Sequence, residues 1–123
     1  MILNDLTPQE MDSLEKTGSL KRYLKGDFVI REGGAGSSFS IIIAGKVRVQ
    51  KNVAGAKHKK LAELGPCDVI GEVGFLGGQS RSASVVAMTD CEVLEFQKDK
   101  LEGFLIQSPA LGLKIYRGLA KEL

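Results

Sequence analysis

The residues with the clearest chemical potential lie in one segment, Gly71-Glu72-Val73-Gly74-Phe75-Leu76-Gly77-Gly78-Gln79-Ser80-Arg81-Ser82-Ala83-Ser84-Val85. It follows Val69-Ile70 and interrupts the short apolar runs on either side. Gly71 and Gly74 permit close backbone approach, which an anion site needs. A short helical turn starting near Val73 would aim several N–H groups and the positive end of a dipole at one point. Arg81 adds a planar, permanently charged fork suited to phosphate oxygens. Ser82 offers a hydroxyl and a backbone N–H. A carboxylate beside a phosphate would repel it, so Glu72 needs a different task. Accepting hydrogen bonds from ligand hydroxyls, such as a ribose 2′-OH, with partial pairing to Arg81, is one that fits.

Such a loop has to be held by regular elements, and the chain supplies them in a clear order. Thr7, Pro8 and Glu10 form a capping box with proline at the first helical position, so a helix is expected over about 7–17. Leu6 and Met11 are placed for a hydrophobic staple, and Gly18 can end the helix. From about 20 to 97 the period changes. Phe28-Val29-Ile30, Phe39 to Ile43, Leu61 to Leu64, Ser84 to Met88 and Glu92 to Phe96 are apolar stretches between turn residues. Lys46-Val47-Arg48-Val49-Gln50 alternates strictly, as a half-buried strand does. About seven or eight strands at roughly 8–12-residue spacing point to a β-sandwich, barrel or jelly roll. Helices return over about 98–107 and 109–123, the second opened by Ser108-Pro109 as cap and first residue. Leu111, Ile115, Leu119 and Leu123 recur on one face of it. That spacing makes a packing face and, functionally, a surface for homodimer contact.

Composition narrows the function classes. With 123 residues, 43% hydrophobic and 26% charged, the chain is one globular domain by size and makeup. Trp is absent, so the core must come from Val, Ile, Leu and Phe. The net charge of +2 is far from that of a dedicated nucleic-acid binder, and the one basic cluster, Lys57-His58-Lys59-Lys60, reads as a solvated hairpin loop. No reader helix follows the last element, so direct nucleic-acid binding is not expected. No run approaches the ~18 apolar residues of a membrane span, and the N-terminus has no signal-peptide pattern. Cys67 and Cys91 lack metal-ligand spacing and read as reduced thiols in a cytoplasmic setting. One His and no clustered carboxylates argue against a metal-dependent jelly-roll enzyme. Gly33-Gly34-Ala35-Gly36-Ser37-Ser38 lacks the Gly-Lys-Ser/Thr ending of a nucleotide-binding P-loop and reads as a hairpin turn.

The stretch from Ile70-Gly71-Glu72 to Arg81-Ser82-Ala83-Ser84-Val85 closely resembles the phosphate-binding cassette of cyclic nucleotide-binding domains. That pattern is Gly-Glu, a small residue two positions on, and Arg-x-Ala about ten residues after the glycine. Here these are Gly71-Glu72, Gly74 and Arg81-Ser82-Ala83. Upstream, Phe28 to Gly33 and Phe39-Ser40-Ile41-Ile42-Ile43-Ala44-Gly45-Lys46-Val47 resemble the same family's strand, Gly-rich turn, strand and Gly-x-Val hairpin. The resemblance implies a mainly β fold: a β-roll or jelly-roll barrel with one N-terminal helix and two C-terminal helices, the last acting as a lid. It implies that the whole of 1–123 is one such domain, with its cassette at 71–85. It further implies that Glu72 accepts the ribose 2′-OH, that Arg81 opposes the cyclic phosphate, and that Val73 and Gly74 amides line the phosphate and ribose with Gly71 and Ser82. Val49 and Leu61 match positions that touch base or ribose. The ligand would be a cyclic purine nucleotide, cAMP first and cGMP as the alternative, with no cofactor and no catalysis.

The chain departs from the family in the turn before Phe39, where Ser37, Ser38 and Ser40 replace an acidic residue and an aromatic one. Two further readings stand beside the ligand-binding one. Arg81 and Glu72 could form a structural ion pair in a degenerate fold used for protein interaction or dimerisation. Val49 and Leu61 could be plain core residues. In the ligand-binding reading the effector acts in trans or belongs to a longer parent chain.

Overall fold

The computed structural model describes residues 6–34, 37–52, 59–71, 81 and 83–121. Helix α1 (Pro8–Glu15) begins at the expected capping box. Thr7 Oγ1 accepts from the Glu10 N–H at 3.1 Å, and Glu10 Oε1 accepts from the Thr7 N–H at 3.0 Å. These two bonds satisfy donors that a helix start otherwise leaves open. Leu6 and Met11 both pack against the core beneath α1.

Among the described residues eight strands follow: β1 (Ser19–Tyr23), β2 (Phe28–Ile30), β3 (Ser38–Ala44), β4 (Val47–Lys51), β5 (Lys59–Leu64), β6 (Val69–Ile70), β7 (Ser84–Ala87) and β8 (Cys91–Gln97). They form two four-stranded antiparallel sheets, ordered β1-β8-β3-β6 and β2-β7-β4-β5. Helices α2 (Lys98–Gln107) and α3 (Pro109–Ala120) close the sequence of elements. The fold is therefore mainly β with one helix before the sheets and two after them.

Two apolar clusters hold these layers. The first joins α1, the first sheet, α2 and α3 through Leu14, Phe39, Ile41, Val69, Phe96, Leu101, Leu105, Leu111, Ile115 and Leu119. At its centre Phe39 and Phe96 stack with ring centroids 5.0 Å apart. The second lies between the sheets and includes Ile42, Val47, Ile70, Val85 and Val93. Val47 is buried and Val49 packs against this cluster, so the inward face of β4 is as expected, but the polar face is not fully solvated: Gln50 is buried and accepts from Arg48 Nε. Cys67 and Cys91 are free thiols; Cys91 is buried and its Sγ donates to the carbonyls of Thr89 and Lys46.

Two expectations need correction. Ser108 occupies the N-cap position of α3 but makes no side-chain cap bond. It also ends α2, its N–H donating to the Leu105 carbonyl, and this double duty fixes its backbone at φ −140°, ψ 69°. The leucine face of α3 is not open to a second copy, because Leu111, Ile115 and Leu119 are buried in the chain's own core. A dimer contact on α3 would have to use its other faces, where Leu113 is exposed. The same helix is tied to α1 by an ion pair between Lys114 Nζ and Glu10 Oε1 at 2.8 Å. That bond and the Thr7 N–H bond hold the Glu10 carboxyl below the usual carboxylate value.

Candidate functional site

Strand pairing brings three separate pieces of chain to one place. In the first sheet Ser40 pairs with Ile70 and Ile41 with Val69. This sets Ser38, at the start of β3, beside Gly71, at the end of β6. In the second sheet Ile30 pairs with Val85. Continuing that antiparallel course puts the turn after β2 opposite the residues before β7, and two main-chain bonds follow. The Arg81 N–H donates to the Gly34 carbonyl and the Gly33 N–H to the Arg81 carbonyl, both at 2.8 Å.

With its main chain fixed there, Arg81 extends its half-buried side chain toward the first sheet. Nη1 donates to the Gly71 carbonyl at 2.8 Å. Nη2 donates to the Ser38 carbonyl at 2.9 Å and to Ser38 Oγ at 3.2 Å. Gly71 has φ +84°, and a Cβ built on it would lie 2.7 Å from Arg81 Nη1. The glycine is needed twice, for its left-handed backbone and for the space that the guanidinium occupies. The result is a permanent cation of fixed orientation at the junction of both sheets, which can hold an anionic group.

Of the residues expected at the site, Gly71 and Arg81 are in direct contact. Ala83 is half-buried, one residue before β7. Val49 packs on the second cluster, which agrees with a core role. Leu61 is 50% exposed on β5, next to the register shift between Val49 and Gln50, so it is not a core residue. Glu72, Val73, Gly74 and Ser82 lie outside the described residues, as do the expected helical turn and the Glu72–Arg81 pair. Sequence reasoning missed Ser38, Gly33 and Gly34, which it treated as a hairpin turn only. The available signal was register: once β2 is paired with β7, the glycines after β2 fall opposite the arginine before β7. Among the described residues, no group of three His, Cys, Asp or Glu side chains gathers as a metal site would require. Among them, too, no helix is long and apolar enough to cross a membrane.

A family model described as the cyclic nucleotide-binding domain matches residues 20–108. The chain belongs to that family. Family membership agrees with the mainly β architecture of the matched residues. Among curated proteins, the chain is 28% identical over 122 residues to the cyclic AMP receptor protein of Thermus thermophilus, covering 99% of this chain and 56% of the relative. It is 37% identical over 86 residues to a cGMP-dependent protein kinase of Plasmodium berghei, covering 70% of this chain and 10% of the kinase. Among solved structures, a cyclic nucleotide-binding domain from Methylobacillus flagellatus superposes with a TM-score of 0.91 at 25% identity, over 98% of this chain and 71% of that one. The chain thus spans about half the length of the bacterial regulator it matches and far less of the kinase. It is a cyclic nucleotide-binding domain homologous to cAMP- and cGMP-associated regulators.

Proposed function

We propose that this domain binds a cyclic purine nucleotide, cAMP in preference to cGMP, as a regulatory module without catalysis of its own. The observation that carries the reading is the orientation of Arg81, whose guanidinium is held beside Gly71 by carbonyls of two different strands' ends. In this reading Arg81 opposes the cyclic phosphate and Glu72 accepts the ribose 2′-OH. Amides of Val73 and Gly74 line the phosphate with Gly71 and Ser82, and Val49 and Leu61 reach the base or ribose. The half-exposed Leu61 suits a ligand contact better than a core role. Residues 1–123 act as one domain in the cytoplasm. Helix α3 is the lid element. In this reading its shared core with α1 and its Lys114–Glu10 pair couple lid movement to α1. The effector acts in trans or lies in a longer parent, in keeping with the partial coverage of the relatives.

Calorimetric titration of cAMP and cGMP into wild type and Arg81→Ala tests this. Loss of the counter-charge costs about 2–5 kcal/mol, or roughly 30-fold to several-thousand-fold in affinity. Equal affinity in the two proteins refutes the assignment. A 2′-deoxy cyclic nucleotide tests Glu72 separately. It binds wild type much more weakly than the parent nucleotide does, and the two bind Glu72→Ala almost equally.

A further inference from the structure

We propose that Ser38 is a positioning residue for the phosphate-binding arginine, working with the Gly33-Gly34 turn that fixes the arginine's main chain. This rests on the reading of Arg81 as the partner of the cyclic phosphate and deepens it. Ser38 meets the Arg81 fork twice through Nη2, with its carbonyl at 2.9 Å and its hydroxyl at 3.2 Å. Gly71 grips the other terminal nitrogen. The bonds to Gly33 and Gly34 hold the peptide of the same residue. Arg81 is therefore fixed at both ends, the backbone by the second sheet's turn and the head by two strand ends of the first sheet. A guanidinium carries five N–H groups in a rigid fork, so it can be gripped along one edge and donate from another. A long side chain fixed before binding leaves less rotamer freedom to be lost on binding.

Ser38 adds something the two carbonyls alone do not. Together its two oxygens set the plane of the fork as well as its position. A cyclic phosphate has two exocyclic oxygens that are stereochemically distinct, and a fork of fixed plane distinguishes them where a loose one does not. Replacing one oxygen with sulfur makes that discrimination measurable. The probes are the Sp and Rp phosphorothioate forms of cAMP, titrated into wild type, Ser38→Ala, Ser38→Thr and Arg81→Ala, with thermal unfolding of each protein measured without ligand.

Ser38→Ala is expected to weaken cAMP binding about three- to tenfold, the worth of one ordinary hydrogen bond, because the Ser38 carbonyl still holds Nη2. It is also expected to narrow the ratio of Sp to Rp affinities, with an unfolding temperature close to that of wild type. Ser38→Thr keeps the hydroxyl and restores both affinity and ratio. The proposal is overturned if Ser38→Ala keeps the wild-type affinity and ratio while Arg81→Ala loses binding. It is also overturned if Ser38→Thr behaves like Ser38→Ala, because the hydroxyl is then not the determinant. If Arg81→Ala binds like wild type, the failure lies in the underlying reading of Arg81 instead.

Discussion

Replacing Gly71 with alanine tests the site from its backbone side. The residue has φ +84°, and a Cβ there would stand 2.7 Å from Arg81 Nη1, 3.1 Å from the Ser38 carbonyl oxygen and 3.3 Å from Arg81 Cζ. Two separate costs follow. Left-handed backbone costs an L-residue with a side chain about 1–2 kcal/mol. A contact of 2.7 Å is also well inside the separation of about 3.5–4.0 Å at which heavy atoms rest. The guanidinium must swing away and give up its 2.8 Å bond to the Gly71 carbonyl. A hydrogen bond from a charged group contributes about 1.5–3 kcal/mol. Together the two come to about 2.5–5 kcal/mol. Gly26→Ala supplies the reference, since Gly26 has φ +92° with nothing within 4 Å of an added Cβ. It incurs only the backbone cost of about 1–2 kcal/mol. Urea unfolding of wild type and both variants isolates the contact contribution as the difference between them. Calorimetry with cAMP adds the functional half: affinity falls roughly tenfold or more in Gly71→Ala, a change of at least about 1.4 kcal/mol, and is unchanged in Gly26→Ala. Equal destabilisation of the two variants, with cAMP affinity unaltered in both, would refute the reasoning.

Two further outcomes follow from the packing and electrostatics. Phe39→Ala removes a fully buried ring stacked on Phe96 and should cost about 3–5 kcal/mol in chemical denaturation; a loss below about 1 kcal/mol contradicts its place in the core. The Glu10 carboxyl is held below 4.5 chiefly by the Lys114 bond, so its stabilising contribution is complete above that value and is lost as pH falls through the lower folded pKa. Melting temperature followed from neutral to acid pH should therefore fall less steeply in Lys114→Met than in wild type, and parallel curves would disprove the link.

Much of the architecture was legible because the signals were local. The Thr-x-x-Glu box fixed the start of α1, the alternation around Val47 fixed β4, and Pro109 fixed the start of α3. The site was legible in part. A glycine ten positions before an arginine is a recognisable pattern, and Gly71 and Arg81 do meet. What holds Arg81 was not legible, because Ser38 and the Gly33-Gly34 turn reach it only through strand pairing across the chain. No periodicity reports that pairing. Ser108 misled for a related reason. A serine before proline signals a helix start, but the signal does not show that the same residue must also finish the preceding helix. The leucine spacing in α3 identified a buried face correctly, but could not show that α1 and the first sheet would cover it.

Arg81 takes its main-chain bonds from the turn of one sheet and its side-chain bonds from strands of the other, one of them 43 residues away in sequence. This has a consequence for the order of folding. Neither sheet alone can assemble the arginine's surroundings, so they form only after the long-range closure that joins the sheets. Such non-local contacts form slowly, because chain entropy must be spent before they return any stabilisation. The guanidinium bonds to Gly71 and Ser38 should therefore form only with docking of the two sheets. A ligand that grips Arg81 would act as a latch on that last step, slowing unfolding more than it speeds folding.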